Sequence, residues 1–156
     1  MAEAVETLRQ KSGFKKEFSV GNIILSGHSG GYRVMSGILD RGGLSGKVKE
    51  VWLFDALYAE TEKFLAWWDK EHGRLLNIYT DGGGTKGETE AMMALLKKRG
   101  TKFVMGEETK MSPDELRGNQ LLFIHTDLPH NDVLEKRKEF QLYLRTSCLE
   151  DLKKTN

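Results

Sequence analysis

The chain has 156 residues, with 24 basic and 23 acidic side chains for a net charge of +1, and a hydrophobic content of 38%. That length carries one domain with a sizeable core, and the balanced, well-mixed charge offers no electrostatic footprint for nucleic acid or an anionic membrane. The apolar runs are strand-sized, too short to span a bilayer, and residues 1–13 lack the apolar stretch of a secretory signal, so the expected compartment is cytoplasmic.

Residues 2–10 read as a helix with Val5 and Leu8 on one side and Gly13 as its stop. Residues 18–25 form the first clear strand pattern, ending in Asn22-Ile23-Ile24-Leu25-Ser26 and breaking into Gly27-His28-Ser29-Gly30-Gly31. A second helix, residues 32–39, follows at once, with Val34, Met35, Ile38 and Leu39 on one face and Gly42-Gly43 ending it. Val48–Phe54 is the next strand, apolar throughout its second half, as expected when both faces are covered. Thr61 reads as the N-cap of a helix carrying Phe64, Leu65, Trp67 and Trp68, closed by Gly73.

Residues 75–80 form a third strand pattern, after which Thr85 and Glu88 have the spacing of a capping box for a helix over 91–99. Gly82-Gly83-Gly84-Thr85-Lys86-Gly87 lacks the G-K-[ST] ending of a nucleotide loop and reads as a turn. Short strands follow at 101–105 and Leu121–Thr126, separated by a polar loop or insertion over 106–119. Asn131 or Asp132 caps a last helix whose apolar stripe is Val133, Phe140, Leu144 and Cys148. As the sole cysteine, Cys148 allows no internal disulfide and no zinc cluster, and its place in the stripe predicts a buried, inert thiol. Strands alternating with helices of about ten residues predict an α/β domain. Its core is a mostly parallel sheet of about 4–5 strands with helices on both faces.

The chemistry centres on Gly27-His28-Ser29-Gly30-Gly31, a G-x-S-x-G between strand and helix, which holds a serine on a sharp turn with its Oγ exposed. Glycines are expected on both sides because a Cβ would crowd the turn. The pentapeptide alone arises by chance roughly once in ten chains of this composition, so its position between strand and helix is what makes it informative. A serine hydroxyl needs an adjacent base, usually a histidine oriented by a carboxylate. Of the four histidines, His28 diverges from its neighbour Ser29 and is assigned to packing or oxyanion-side support. His72 lies near a helix C-terminus, and His125 falls within a strand. His130 sits in a loop just beyond the last strand, at the sheet edge where reactive groups gather, and is the predicted base.

Two carboxylates end strands on that edge. Asp55 lies amid apolar residues, where a carboxylate must find a partner, and is the preferred acid. Asp81, beside turn glycines, is the alternative. Tyr32 and Tyr58 flank candidate residues and suit a cleft wall, whereas the spacing of Phe64, Trp67 and Trp68 suits core packing as well as an acyl pocket.

Through Gly27-His28-Ser29-Gly30-Gly31, the acid-bearing strand ends and the late His130, the chain resembles the carboxyl-terminal half of an α/β-hydrolase, from about Ala2 to its end. The resemblance implies a serine esterase, lipase or amidase working through an acyl-enzyme, with no metal or organic cofactor. It implies the Gly30 N–H as one oxyanion donor. It places the acid at Asp81 in the commoner arrangement and at Asp55 in the lipase-like one. The departure is at the front. Members usually carry about four strands before the nucleophile strand, one loop of which supplies a second oxyanion donor, whereas roughly twenty residues precede it here. A longer parent protein, a reduced hydrolase and a half-sheet completed by another chain all fit. A half-sheet leaves the Ser29 strand as an edge, so a twofold homodimer across that edge is expected. The competing reading is a non-catalytic half-hydrolase that serves as a binding or assembly module.

Overall fold

The computed structural model describes residues 2–11 and 20–149. The expected stop at Gly13 and the start of the first strand at Phe18 lie outside the described residues, as do the side chains of Val5 and Leu8. Five parallel strands, β1 (Ile23–His28), β2 (Val48–Phe54), β3 (Arg74–Thr80), β4 (Val104–Glu107) and β5 (Leu121–Thr126), form one sheet in the order β1-β2-β3-β5-β4. Among the described residues six helices accompany them: α1 (Ala2–Lys11), α2 (Tyr32–Arg41), α3 (Thr61–Glu71), α4 (Lys86–Lys98), α5 (Pro113–Gly118) and α6 (Glu139–Arg145). The molecule is thus the expected α/β domain.

The sheet is buried on both faces because β2, β3 and β5 are apolar on both, so each face needs its own cover. On one face Leu25, Val51, Leu53, Leu75 and Phe123 pack with Met35 and Leu39 of α2, Phe64 and Trp67 of α3, and Met92 and Leu96 of α4. On the other, Trp52, Phe54, Leu76, Ile78 and Ile124 pack with Leu116 of α5 and Tyr143 of α6. Among the described residues, no helix is long and apolar enough to cross a membrane.

Several local expectations are corrected. The first strand runs through Gly27 and His28, because its pairing with β2 continues to the His28–Phe54 pair. Thr61 is the first helical residue and Glu60, at φ 69°, precedes it. The Thr85–Glu88 capping box does not form: Thr85 donates its hydroxyl to Asp55, and Glu88 accepts from Thr61 at 2.5 Å. The polar segment 106–119 contains α5, started by a capping box between Ser112 and Glu115 with Pro113 at its first position.

At the C-terminus, Asn131 and Asp132 belong to a 3-10 turn, His130–Asp132, and α6 begins only after Lys138 at φ 60°. The later start rotates the buried face to Glu139, Tyr143 and Thr146, so Phe140, Leu144 and Cys148 are exposed. The expectation of a buried thiol at Cys148 is therefore overturned.

Candidate active site

Ser29 and Asp55 are the residues that follow β1 and β2, and the His28–Phe54 pair sets them side by side at the C-terminal edge. Both leave the strand with positive φ, 53° at Ser29 and 44° at Asp55, a conformation costly to side chains with a Cβ. At Ser29 the bend leads into a 3-10 turn, Ser29–Gly31, that continues as α2. Gly27 is sterically required, since a Cβ there would stand 2.4 Å from Met35 Sδ under the turn. At Gly30 and Gly31 a Cβ would meet nothing within 4 Å, which corrects the expectation of crowding on the helix side. Those two glycines border open space instead.

The Asp55 side chain is fully buried, and its carboxylate is satisfied from several directions. Oδ1 accepts the Thr80 N–H at 3.2 Å and the Thr85 hydroxyl, while Oδ2 accepts the Thr80 hydroxyl at 2.8 Å and Nδ1–H of His130 at 2.6 Å. Gly83 closes this cradle. Its N–H donates to Thr80 Oγ1 at 2.8 Å, and a Cβ on it would lie 1.8 Å from Asp55 Oδ2.

His130 arrives from the 3-10 turn that follows β5 and is partly exposed. The His28 ring stacks on it with centroids 4.4 Å apart, and His28 Nε2–H donates to the His130 carbonyl at 2.9 Å. His28 is thus a packing partner of the neighbouring imidazole, one of the two roles expected for it. The Tyr58 ring approaches His130 edge-on at 6.4 Å and lies 5.8 Å from the Tyr32 ring. Burial raises the Tyr58 phenol above its ordinary pKa, the Asp55 charge adds to the rise, and a hydrogen bond from the Ser29 side chain opposes it. Ser29 and His130 therefore share the neighbours His28 and Tyr58; among the described residues the two do not hydrogen-bond directly.

The carboxylate in contact with His130 is Asp55 and not Asp81. Asp81 is exposed and engaged elsewhere, accepting from Lys86 at 2.7 Å and from His125 Nε2 at 3.1 Å. The Lys86 hydrogen bond, followed by that of His125, holds its carboxyl below the usual range. His125 also donates through Nδ1 to Glu107 at 2.9 Å, and this bond leads the causes that raise its pKa. Phe64 and Trp67 are core residues of the α3 face, while Trp68 is partly buried against it. Thr80 and Gly83 escaped the sequence reading because one ends a strand and the other lies in a glycine run with the signature of a flexible turn, and Thr85 carries only the local signature of a helix cap. Comparison with family models, curated proteins and solved structures found no match to this chain.

Proposed function

We propose that this chain is a small serine hydrolase of α/β-hydrolase type that attacks the carbonyl of an ester or amide through Ser29. The observation that carries the reading is the 2.6 Å contact between His130 and the buried Asp55 carboxylate, set beside a serine held at positive φ. With Nδ1–H engaged by Asp55, the lone pair of the neutral imidazole lies on Nε2. Ser29 Oγ turns to Nε2, gives up its proton and adds to the carbonyl carbon. Asp55 stays ionised, orients the ring and stabilises the imidazolium.

The oxyanion accepts from the N–H of Gly30 and from the Tyr58 hydroxyl, whose pKa burial raises. His130 then hands the proton to the leaving group. A water deprotonated by the same nitrogen releases the acyl group. Tyr58 thereby fills the place of the second oxyanion donor that the family draws from an earlier loop.

The test is a fluorophosphonate probe read by intact mass. The folded protein gains one adduct, located on Ser29, and the Ser29→Ala variant gains none. A folded protein that stays unlabelled, or a variant that labels equally well, overturns the reading in favour of a non-catalytic module. The proposal extends to quaternary structure: a second copy covers the outer edge of β1, giving a twofold homodimer.

A further inference from the structure

Resting on that reading of Ser29, the geometry points to Arg33 as the residue that selects the substrate, by holding a carboxylate on its acyl part. Arg33 lies one helical turn beyond Ser29, on the stretch where the 3-10 turn runs into α2. Between them are Gly30, Gly31 and the buried Tyr32, and a Cβ on either glycine would meet nothing within 4 Å, so the surface beside the helix start is open.

The guanidinium is held in place without being used up. Its Nε–H donates to the hydroxyl of buried Tyr32 at 3.1 Å, and its central carbon stands 5.6 Å from the centre of the Tyr32 ring. Tyr32 in turn packs on Tyr58, whose ring also faces His130, so the aromatic pair that holds the cation borders the candidate site. Arg74, Arg99, Arg117 and Arg137 each place at least one terminal nitrogen on a carboxylate, whereas Arg41 meets Asp40 only through Nε at 3.9 Å. The terminal nitrogens of Arg33 have no partner among the described residues, and the acidic group that acts on it, Glu60, is itself paired with Lys63 at 2.5 Å. An oriented guanidinium with two free N–H arms matches the two oxygens of a carboxylate. The preferred substrates are therefore acyl compounds bearing a free carboxylate, such as the half-esters of dicarboxylic acids.

The test compares mono-para-nitrophenyl adipate with its neutral methyl ester, using the ratio of kcat/KM for the two within each protein. The wild-type ratio favours the anion by about tenfold to a hundredfold, the value of a charge-assisted hydrogen-bonded contact. Arg33→Gln brings the ratio close to one, Arg33→Lys retains part of it, and added salt lowers it in the wild type. Arg41→Gln, further along the same helix, leaves it unchanged and controls for bulk charge. A wild-type ratio near one, or a ratio untouched by Arg33→Gln, overturns the inference. A readout free of turnover separates it from the Ser29 mechanism: monomethyl adipate titrated into the protein shifts the Arg33 Nε–H resonance saturably. Absence of that shift sinks the carboxylate site, whereas equal hydrolysis by Ser29→Ala sinks the nucleophile.

Discussion

Ser29 and Asp55 occupy backbone conformations that cost about 1–3 kcal/mol each for a residue with a Cβ. Asp55 is compensated by its own side chain, which collects hydrogen bonds from Thr80, Thr85 and His130 in a site without water contact. The cradle has no spare volume, and this yields a sharp contrast between neighbours. Gly83→Ala forces a methyl into the Asp55 carboxylate and is expected to lose about 1–3 kcal/mol of stability together with activity. Gly82→Ala faces open space and is expected to be near neutral. Urea denaturation of the two variants checks the pair; equal midpoints would mean the carboxylate yields freely. For Tyr58, removing the hydroxyl as Tyr58→Phe is expected to lower kcat about 10²–10³-fold, as loss of one oxyanion donor does, with KM little changed. Steady-state kinetics on a neutral ester decides this, and an unchanged kcat removes Tyr58 from the oxyanion site.

Local signals start and stop the elements, yet several helix ends are fixed by contacts from elsewhere. The start of α4 illustrates the competition. Thr85 and Glu88 have the spacing to cap each other, but Asp55 and Thr61 take their hydrogen bonds, tying the helix to the β2 strand end and to α3. Where no such competitor exists, at Ser112 and Glu115, the local box forms. The start of α6 is set by burial, which places Glu139 against Glu108. Glu139 Oε2 and Glu108 Oε1 are both buried without a hydrogen-bond partner among the described residues, which favours a proton on one of the two carboxyl groups. Burial first, then the Glu108 neighbour, pushes Glu139 up to about 7.

The consequence has a definite sign. The folded state holds this proton more tightly than the unfolded chain, so the stabilisation is full below the ordinary carboxyl value of 4.5 and drains away as pH rises through about 7. His125, raised by its bonds to Glu107 and Asp81, contributes in the same direction above 6.5. The urea midpoint is therefore expected to be lower at about pH 8 than at about pH 5.5. Glu139→Gln should flatten that dependence to the part owed to His125; an undiminished slope in the variant would place the proton elsewhere.

Across the molecule, the order β1-β2-β3-β5-β4 leaves β1 and β4 at the two ends of the sheet. Ser29 follows β1, and among the described residues β1 has a strand partner, β2, on one side only. An unpaired edge of this kind invites another strand. Pairing with a second copy predicts twice the chain mass by light scattering at micromolar concentration, and a monomeric mass there refutes the dimer.

Read without coordinates, the chain already declared its alternation of strands and helices, the elbow at Ser29 and a histidine loop beyond the last strand. Those features follow from hydrophobic period and turn chemistry within a few residues. Val48–Phe54 and Leu121–Thr126 match their expected limits because they are apolar runs bounded by breakers. Left undecided were the carboxylate that meets His130, the Thr80–Gly83–Thr85 cradle and the insertion of β5 between β3 and β4, while Cys148, expected to be buried, is exposed. Each depends on residues far apart in sequence, such as Asp55 and His130, becoming neighbours once the strands take their order. Two aspartates at strand ends look alike to any local rule. The tertiary structure separates them because it closes a buried, hydrogen-bonded cradle around Asp55 and leaves Asp81 in solvent with Lys86 and His125.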